Sequence, residues 1–355
     1  MTTRTRATSP GALPAAAAPP RRRRTRGFLI LGALAAAVLL AAVLSVMVGA
    51  RPVPPAGVWQ ALWSPSGTDA DVIVRELRLP RTALGLLAGL ALGLAGALMQ
   101  GHTRNPLADP GLLGVTQGAA FAMVLSIVVF RLGSVYGYIW FGLAGALIAS
   151  AAVFALGLAG GGRAGPTPVT LALAGAAVSA FLHALTSTVV LLDKQAMDVF
   201  RFWQLGSLAG RDAAVAGQVL PFVAAGTLLA LANAPGLNAL ALGEDVARSL
   251  GRNVALTRFT GIAAITLLTG AAVAACGSLA FVGLIVPHLA RALSGPDHRR
   301  LLPYSGLIGA ALLLAADVTG RVVAHPGELE AGVVLALLGA PFFVALIRRT
   351  RSVHL

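Results

Sequence analysis

Residues 82–101 read TALGLLAGLALGLAGALMQG, and how this stretch can be housed decides the fold. It carries no charge over 20 positions, the length at which a helix rising 1.5 Å per residue crosses a hydrocarbon layer of about 30 Å. Gly85, Gly89 and Gly93 recur at every fourth position, so they share one helix face and let another backbone come close. Before the run stands Arg75-Glu76-Leu77-Arg78-Leu79-Pro80-Arg81, and after it Arg104-Asn105-Pro106-Leu107-Ala108-Asp109-Pro110. Asn105 and Asp109 each precede a proline, which disfavours helix and holds a turn. A rigid polar turn at the end of a glycine-faced helix suits a gate; an ordinary re-entrant turn is the plainer reading.

Nine further apolar runs of similar length accompany this one. The ten are 27–49, 82–101, 112–130, 136–159, 169–191, 213–232, 256–275, 278–293, 304–323 and 329–347. The seventh and eighth are separated only around Gly277. Apolar residues make up 57% of the 355 and charged residues 11%, with a mean hydropathy of +0.83. A water-soluble domain carries about 25% charge, so the chain reads as an all-α, polytopic membrane protein. An even number of spans puts both termini on one side, and arginine says which. With the N-terminus inside, 18 Arg and Lys fall in inner segments and nine in outer ones, whereas acidic residues divide four inside and nine outside. The net charge of +14 then sits on the inner face, as the positive-inside bias requires.

The same distribution turns a sequence pI of about 11.7 away from nucleic acid. The cluster Arg21 to Arg26 abuts a span and reads as a topological anchor. The following apolar run of 23 residues (27–49) exceeds the core of a secretory signal, about 7–15 residues, so it is expected to remain as the first span. Residues 1–26 are expected to form a disordered, basic cytoplasmic N-terminus, 27–347 the membrane domain, and 348–355 a basic cytoplasmic tail. The single cysteine, Cys276, falls in a span and excludes a disulfide or thiolate metal cluster; no metal ligand set is expected.

Catalytic motifs are missing. The only lysine, Lys194, follows Asp193, so no phosphate loop ending Gly-Lys-Ser/Thr exists. Gly160, Gly162 and Gly165 match G-x-G-x-x-G, but no strand precedes them and they lie between apolar runs, which marks a connector. Two other stretches carry information. In Leu242-Gly243-Glu244-Asp245-Val246-Ala247-Arg248-Ser249-Leu250-Gly251, the acidic pair suits a helix N-terminus and Gly251 a left-handed end. Val246 and Leu250 share a face; two turns of helix are unstable alone in water and imply docking, on a partner or on the bundle itself. Near the C-terminus, Pro287 is expected to kink or end its helix and His288 to terminate it by hydrogen bonding. Asp317 lies in an apolar run with Arg321 four residues on, the spacing of an ion pair on one helix face.

These motifs, in this order, resemble the FecCD-type permease family, the membrane subunits of ATP-driven importers for iron-siderophores, haem and vitamin B12. The likeness covers about 28–347 and rests on Arg78-Leu79-Pro80-Arg81, Met99-Gln100, Asn105 to Pro110, Leu242 to Gly251, Gly283-Leu284-Ile285-Val286-Pro287-His288, Asp297-His298-Arg299, Asp317 with Arg321, and Gly339-Ala340-Pro341-Phe342. It implies a type II ABC importer permease with about ten transmembrane helices in a bacterial inner membrane. It also implies a second permease subunit, identical or paralogous, two ATPase subunits that bind ATP and Mg, and an extracytoplasmic substrate-binding protein. By the resemblance, Arg78 and Arg321 meet carboxylates on that binding protein. Gly243, Glu244, Asp245, Val246, Ala247, Arg248, Leu250 and Gly251 form the helix that couples to the ATPase. Asn105 and Leu107 belong to the inner gate, with Thr167, Pro168 and Val169 at a second gate loop. The chain itself would be non-catalytic and hold no cofactor, and an iron(III)-siderophore is the expected cargo, with haem or corrinoid as alternatives. The chain departs from the family pattern at Cys276 to Ala280, at Glu330 in place of proline, and at Pro168 and Val169. An ion-coupled transporter using Asp317 as carrier, or an intramembrane enzyme, would need dedicated residues that the chain lacks.

Overall fold

A computed structural model describes residues 21–132, 134–161 and 167–351. Among these residues there are fourteen α-helices and no strand. In chain order they are α1 (Arg21–Met47), α2 (Pro55–Trp63), α3 (Asp69–Val72), α4 (Leu79–Thr103), α5 (Val115–Phe130), α6 (Val135–Gly161), α7 (Pro168–Leu192), α8 (Lys194–Leu205), α9 (Ala213–Ala241), α10 (Glu244–Ser249), α11 (Val254–Cys276), α12 (Val282–Ser294), α13 (His298–Val323) and α14 (Ala331–Arg351). Each of the ten apolar runs is a helix. Seven are long and apolar enough to cross a membrane, and α5, α12 and α14 are shorter apolar helices.

The glycine-faced helix is the axis of the molecule. α3, a π-helical segment Ile73–Arg78 and α4 run on as one 35-residue rod, Asp69–Thr103. α4 packs on α13, α11, α9 and α12. Its glycine stripe does what the spacing requires. A methyl group on Gly89 would overlap the Gly309 carbonyl of α13, and one on Gly93 the Ser305 carbonyl; Gly309 in turn faces the Gly89 carbonyl. α5, α6 and α7 pack together beside this centre, and α1 lies along α13 with most of its apolar surface exposed.

Several boundaries depart from expectation. Arg21 to Arg26, expected to belong to the disordered N-terminus, are helical and continue α1; residues 1–20 lie outside the described ones. α14 likewise carries on through Arg351 into the tail. The α11–α12 break falls at Gly277–Phe281, and α12 starts at Val282 rather than 278. Three helices that the sequence reading does not predict, α2, α3 and α8, lie outside the apolar runs. Pro287 does not end its helix, because α12 continues to Ser294, and His288 terminates nothing: its ring meets Phe342 edge-on at 6.5 Å and its Nδ1 has no partner. The price of a proline mid-helix is the orphaned carbonyl four residues back, here Gly283. The Gln100 amide of α4 donates to that carbonyl at 3.5 Å and to Leu284 O at 3.4 Å.

Candidate functional site

Three places bring the motif residues together. The first is at the α3 end of the rod, opposite the turn after α4. Arg78 and Arg321 both lie there, yet they are 4% and 2% exposed. The Arg78 guanidinium donates to the carbonyls of Val46 (2.9 Å), Met47 (2.8 Å) and Arg51 (2.6 Å). Arg321 donates to Ser45 O at 2.8 Å, to Val48 O at 2.9 Å and to the Ser45 hydroxyl at 2.8 Å. The last turn of a helix leaves carbonyls without partners and a negative dipole end. Two cations therefore cap α1, and both guanidiniums are engaged with its last carbonyls.

Asp317 is the counter-charge to this cluster and is fully buried. It pairs with Arg321 on its own helix, as the spacing required, and also with Arg81, whose Nε and Nη2 reach Oδ1 at 3.0 and 2.8 Å. Arg81 then turns its Nη1 to Glu328 at 2.7 Å. A carboxylate locked between two guanidiniums is a structural ion cluster, not a free proton carrier. Arg81 and Glu328 are members that sequence reasoning missed. Above the cluster opens a cavity of about 520 Å³. Arg51, Arg78, Arg81, Arg211 and Arg321 line it against Glu76, Asp212 and Glu328, so its wall has an excess of positive charge.

The second place is the turn after α4. Arg104 takes a left-handed backbone (φ 50°) that ends the helix. The Asn105 side chain accepts from Leu107 N at 2.9 Å and that of Asp109 from Gly111 N at 2.8 Å, so each polar residue pins its own turn. The segment folds back into the bundle, with Asp109 and Pro110 against Gly283 at the start of α12. Irregular backbone within a membrane protein is tolerated where it lines a cavity. Here the turn and Ser278 to Phe281 border one of about 200 Å³, with Thr116 and Thr269 in its wall. Leu107 reaches an apolar crevice with Phe281, Leu284, Ile285, Phe342 and Phe343. The other gate residues do not line that crevice. Thr167 instead caps α7, accepting from Thr170 N at 3.2 Å; Pro168 and Val169 are in its first turn, and Val169 is exposed.

The third is α10. Gly243 (φ 116°) starts it and Gly251 (φ 74°) follows its end, backbone states that a side chain would strain. Glu244 pairs with Arg258 of α11 and, at 3.3 Å, with Arg248; Arg248 also reaches Asp245 at 3.1 Å. Ala247 is buried against Ala239, Leu240 and Val254, which settles the inner face on the bundle. Leu242, Val246 and Leu250 stand four apart and are 66%, 43% and 61% exposed. Val246 and Leu250 thus form an apolar edge of α10, and Leu242 stands just before it, across the non-helical Gly243.

The FecCD transport family profile matches residues 37–349, which include the glycine-riveted bundle, its polar turn, the arginine-capped end of α1 and the short connecting helix. The chain belongs to the FecCD transport family. This FecCD chain is 50% identical over 316 residues to the ferric enterobactin transport system permease protein FepD of Escherichia coli (strain K12), covering 88% of this chain and 92% of that one. It is 42% identical over 280 residues to the cobalamin import system permease protein BtuC of Halobacterium salinarum, covering 79% and 74%. Among solved structures, a metal-chelate type ABC transporter in an inward-facing conformation superposes with a TM-score of 0.78 at 30% identity, over 90% of this chain and 99% of that one. The permease fold expected from sequence is thereby established.

Proposed function

We propose that this FecCD permease is the membrane-spanning subunit of an ATP-binding-cassette importer, and that its cargo is an iron(III)-siderophore. The observation that carries the reading is the exposed Val246 and Leu250 on a short helix anchored to the bundle by Glu244 and Arg258, with exposed Leu242 just before it. In a chain that has no phosphate loop, this is a surface through which a separate ATPase can act. The termini and α10 are assigned to the cytoplasm by the arginine asymmetry. A second permease subunit completes the pathway, and the turn at Asn105 and Leu107 serves as the inner gate, with Thr167 to Val169 at a second position. An extracytoplasmic binding protein docks over the outer cavity. Arg78 and Arg321 contribute there by shaping the wall and its positive excess, which favours an acidic side chain from above.

The likeness to the enterobactin permease favours a siderophore, whereas the cobalamin relative keeps a corrinoid as the competing cargo. Proteoliposomes holding the full transporter and its binding protein separate these. ATP-dependent uptake of radiolabelled ferric siderophore, unaffected by excess cobalamin or haem, is the expected result. Uptake that proceeds without the ATPase would overturn the importer assignment, and uptake of cobalamin alone would overturn the cargo.

A further inference from the structure

Between the second and third turns of α1 and the start of α13 lies a cavity of about 400 Å³. Its walls are of two chemical kinds. Phe28, Leu31 and Pro303 make an apolar side, and Arg299 and Arg300 make a cationic one. Tyr304 joins them, its hydroxyl donating to Gly27 O at 2.8 Å and fixing the two helices together. Both arginines are exposed, and among the described residues neither makes an ion pair with a carboxylate. Among the described residues, no acidic one lines the cavity. The neighbouring carboxylate in the chain, Asp297, accepts from the Asn238 amide at 2.6 Å and the Arg299 backbone N–H at 3.0 Å, and its charge also acts on both arginines without pairing with either guanidinium.

The depth of this cavity is set by the sequence. Gly27 opens the unbroken apolar stretch Gly27–Met47, and five arginines occupy 21–24 and 26 just before it. The cavity therefore straddles the level where a lipid changes from phosphate to acyl chain. α1 leaves most of its apolar side uncovered, with Phe28 and Leu29 exposed next to the opening. A soluble anion would gain nothing from that apolar bed. A zwitterionic lipid would bring an ammonium group into a wall that is already cationic.

We propose that this cavity binds the phosphodiester headgroup of an anionic phospholipid, with Arg299 and Arg300 on its phosphate oxygens and an acyl chain laid along α1. Arginine suits the task because its planar fork can donate two hydrogen bonds to one phosphate. Basic pockets between membrane helices at the headgroup level are the kind that take such lipids.

The test titrates the full-length chain in detergent with phosphatidylglycerol, phosphatidylethanolamine and inorganic phosphate, counting bound lipid by native mass spectrometry. Wild type is expected to prefer phosphatidylglycerol to phosphatidylethanolamine. Arg299→Gln with Arg300→Gln should cut that preference about tenfold or more, while Arg299→Lys with Arg300→Lys, which keeps the charge, should retain most of it. Replacing Arg21 to Arg24 and Arg26 by Gln should leave most of it as well. An unchanged preference in the double Gln variant would overturn the site. So would loss confined to the 21–26 variant, which would mean diffuse attraction by the N-terminal cluster. Displacement of the lipid by inorganic phosphate at equal concentration would mark a plain anion site and overturn the lipid reading.

Discussion

Asp317 shows how much depends on single side chains here. It is buried with Arg81 and Arg321, and removing one partner from a buried ion cluster costs about 3–5 kcal/mol, because the remaining charges stay in place without compensation. Asp317→Asn is therefore expected to lower the thermal midpoint in detergent sharply and to reduce the amount of folded protein. A variant as stable as wild type but dead for uptake would point to a carrier role instead. Glycine offers a second contrast. Gly32 of α1 has nothing within 4 Å of where a methyl would stand, whereas Gly89 faces the Gly309 backbone. Gly32→Ala is expected to be neutral or to stabilise by up to about 1 kcal/mol through helix propensity. Gly89→Ala must push two helices apart, with a loss of about 1–3 kcal/mol by overpacking. Thermal unfolding of the pair, side by side, checks both signs. The ion cluster was half legible. Asp317 and Arg321 are four residues apart and readable by period, but Arg81 and Glu328 are separated by 247 positions and meet only through the fold.

At the scale of elements, α10 and α8 make separate claims. Val246→Asp with Leu250→Asp adds charge to the exposed stripe while leaving Ala247 and the Glu244–Arg258 anchor alone. It is expected to abolish stimulation of the partner ATPase by cargo-loaded binding protein, with the membrane subunits still folded; normal stimulation would refute the coupling role. α8 begins at Asp193, whose carboxylate accepts from Ala196 N at 2.9 Å and pairs with Arg131. That N–H, then Arg131, outweigh partial burial and hold the Asp193 carboxyl below its ordinary value. A depressed folded-state pKa means the cap is fully present above the unfolded value of about 3.9. It is lost as pH falls through the lower, folded one. Amide exchange at Ala196, corrected for intrinsic rate, should therefore stay protected at pH 5 and lose protection only in stronger acid, while Asp193→Ala should be unprotected throughout. α8 escaped sequence reading because its apolar positions are spaced along one face instead of forming a run. The signal was there in Ala196, Phe200 and Trp203 after a capping Asp. The ten membrane helices were legible for the opposite reason, since lipid demands apolar surface all round.

For the molecule as a whole, orientation is the property that composition addresses most directly. Cys276 is fully buried and its thiol is the only one, so replacing it by Ala leaves a silent background. In that background Ser64→Cys, in the exposed segment after α2, should react with a membrane-impermeant maleimide from outside intact cells. Ser249→Cys at the end of α10 should react only after the membrane is opened. The reverse pattern would invert the molecule and remove α10 from the ATPase side. The central packing has a mechanical corollary. At Gly89, Gly93 and Gly309, α4 and α13 meet backbone to backbone, with no side chain between them there to swing aside. Close-packed contacts of this kind behave as rigid joints. If the proposed importer cycles between two states, this pair is expected to act as a ruler of constant length within it. Spin labels on α4 and α13 should report one separation with and without ATP, while labels on α7 and α14 should report two.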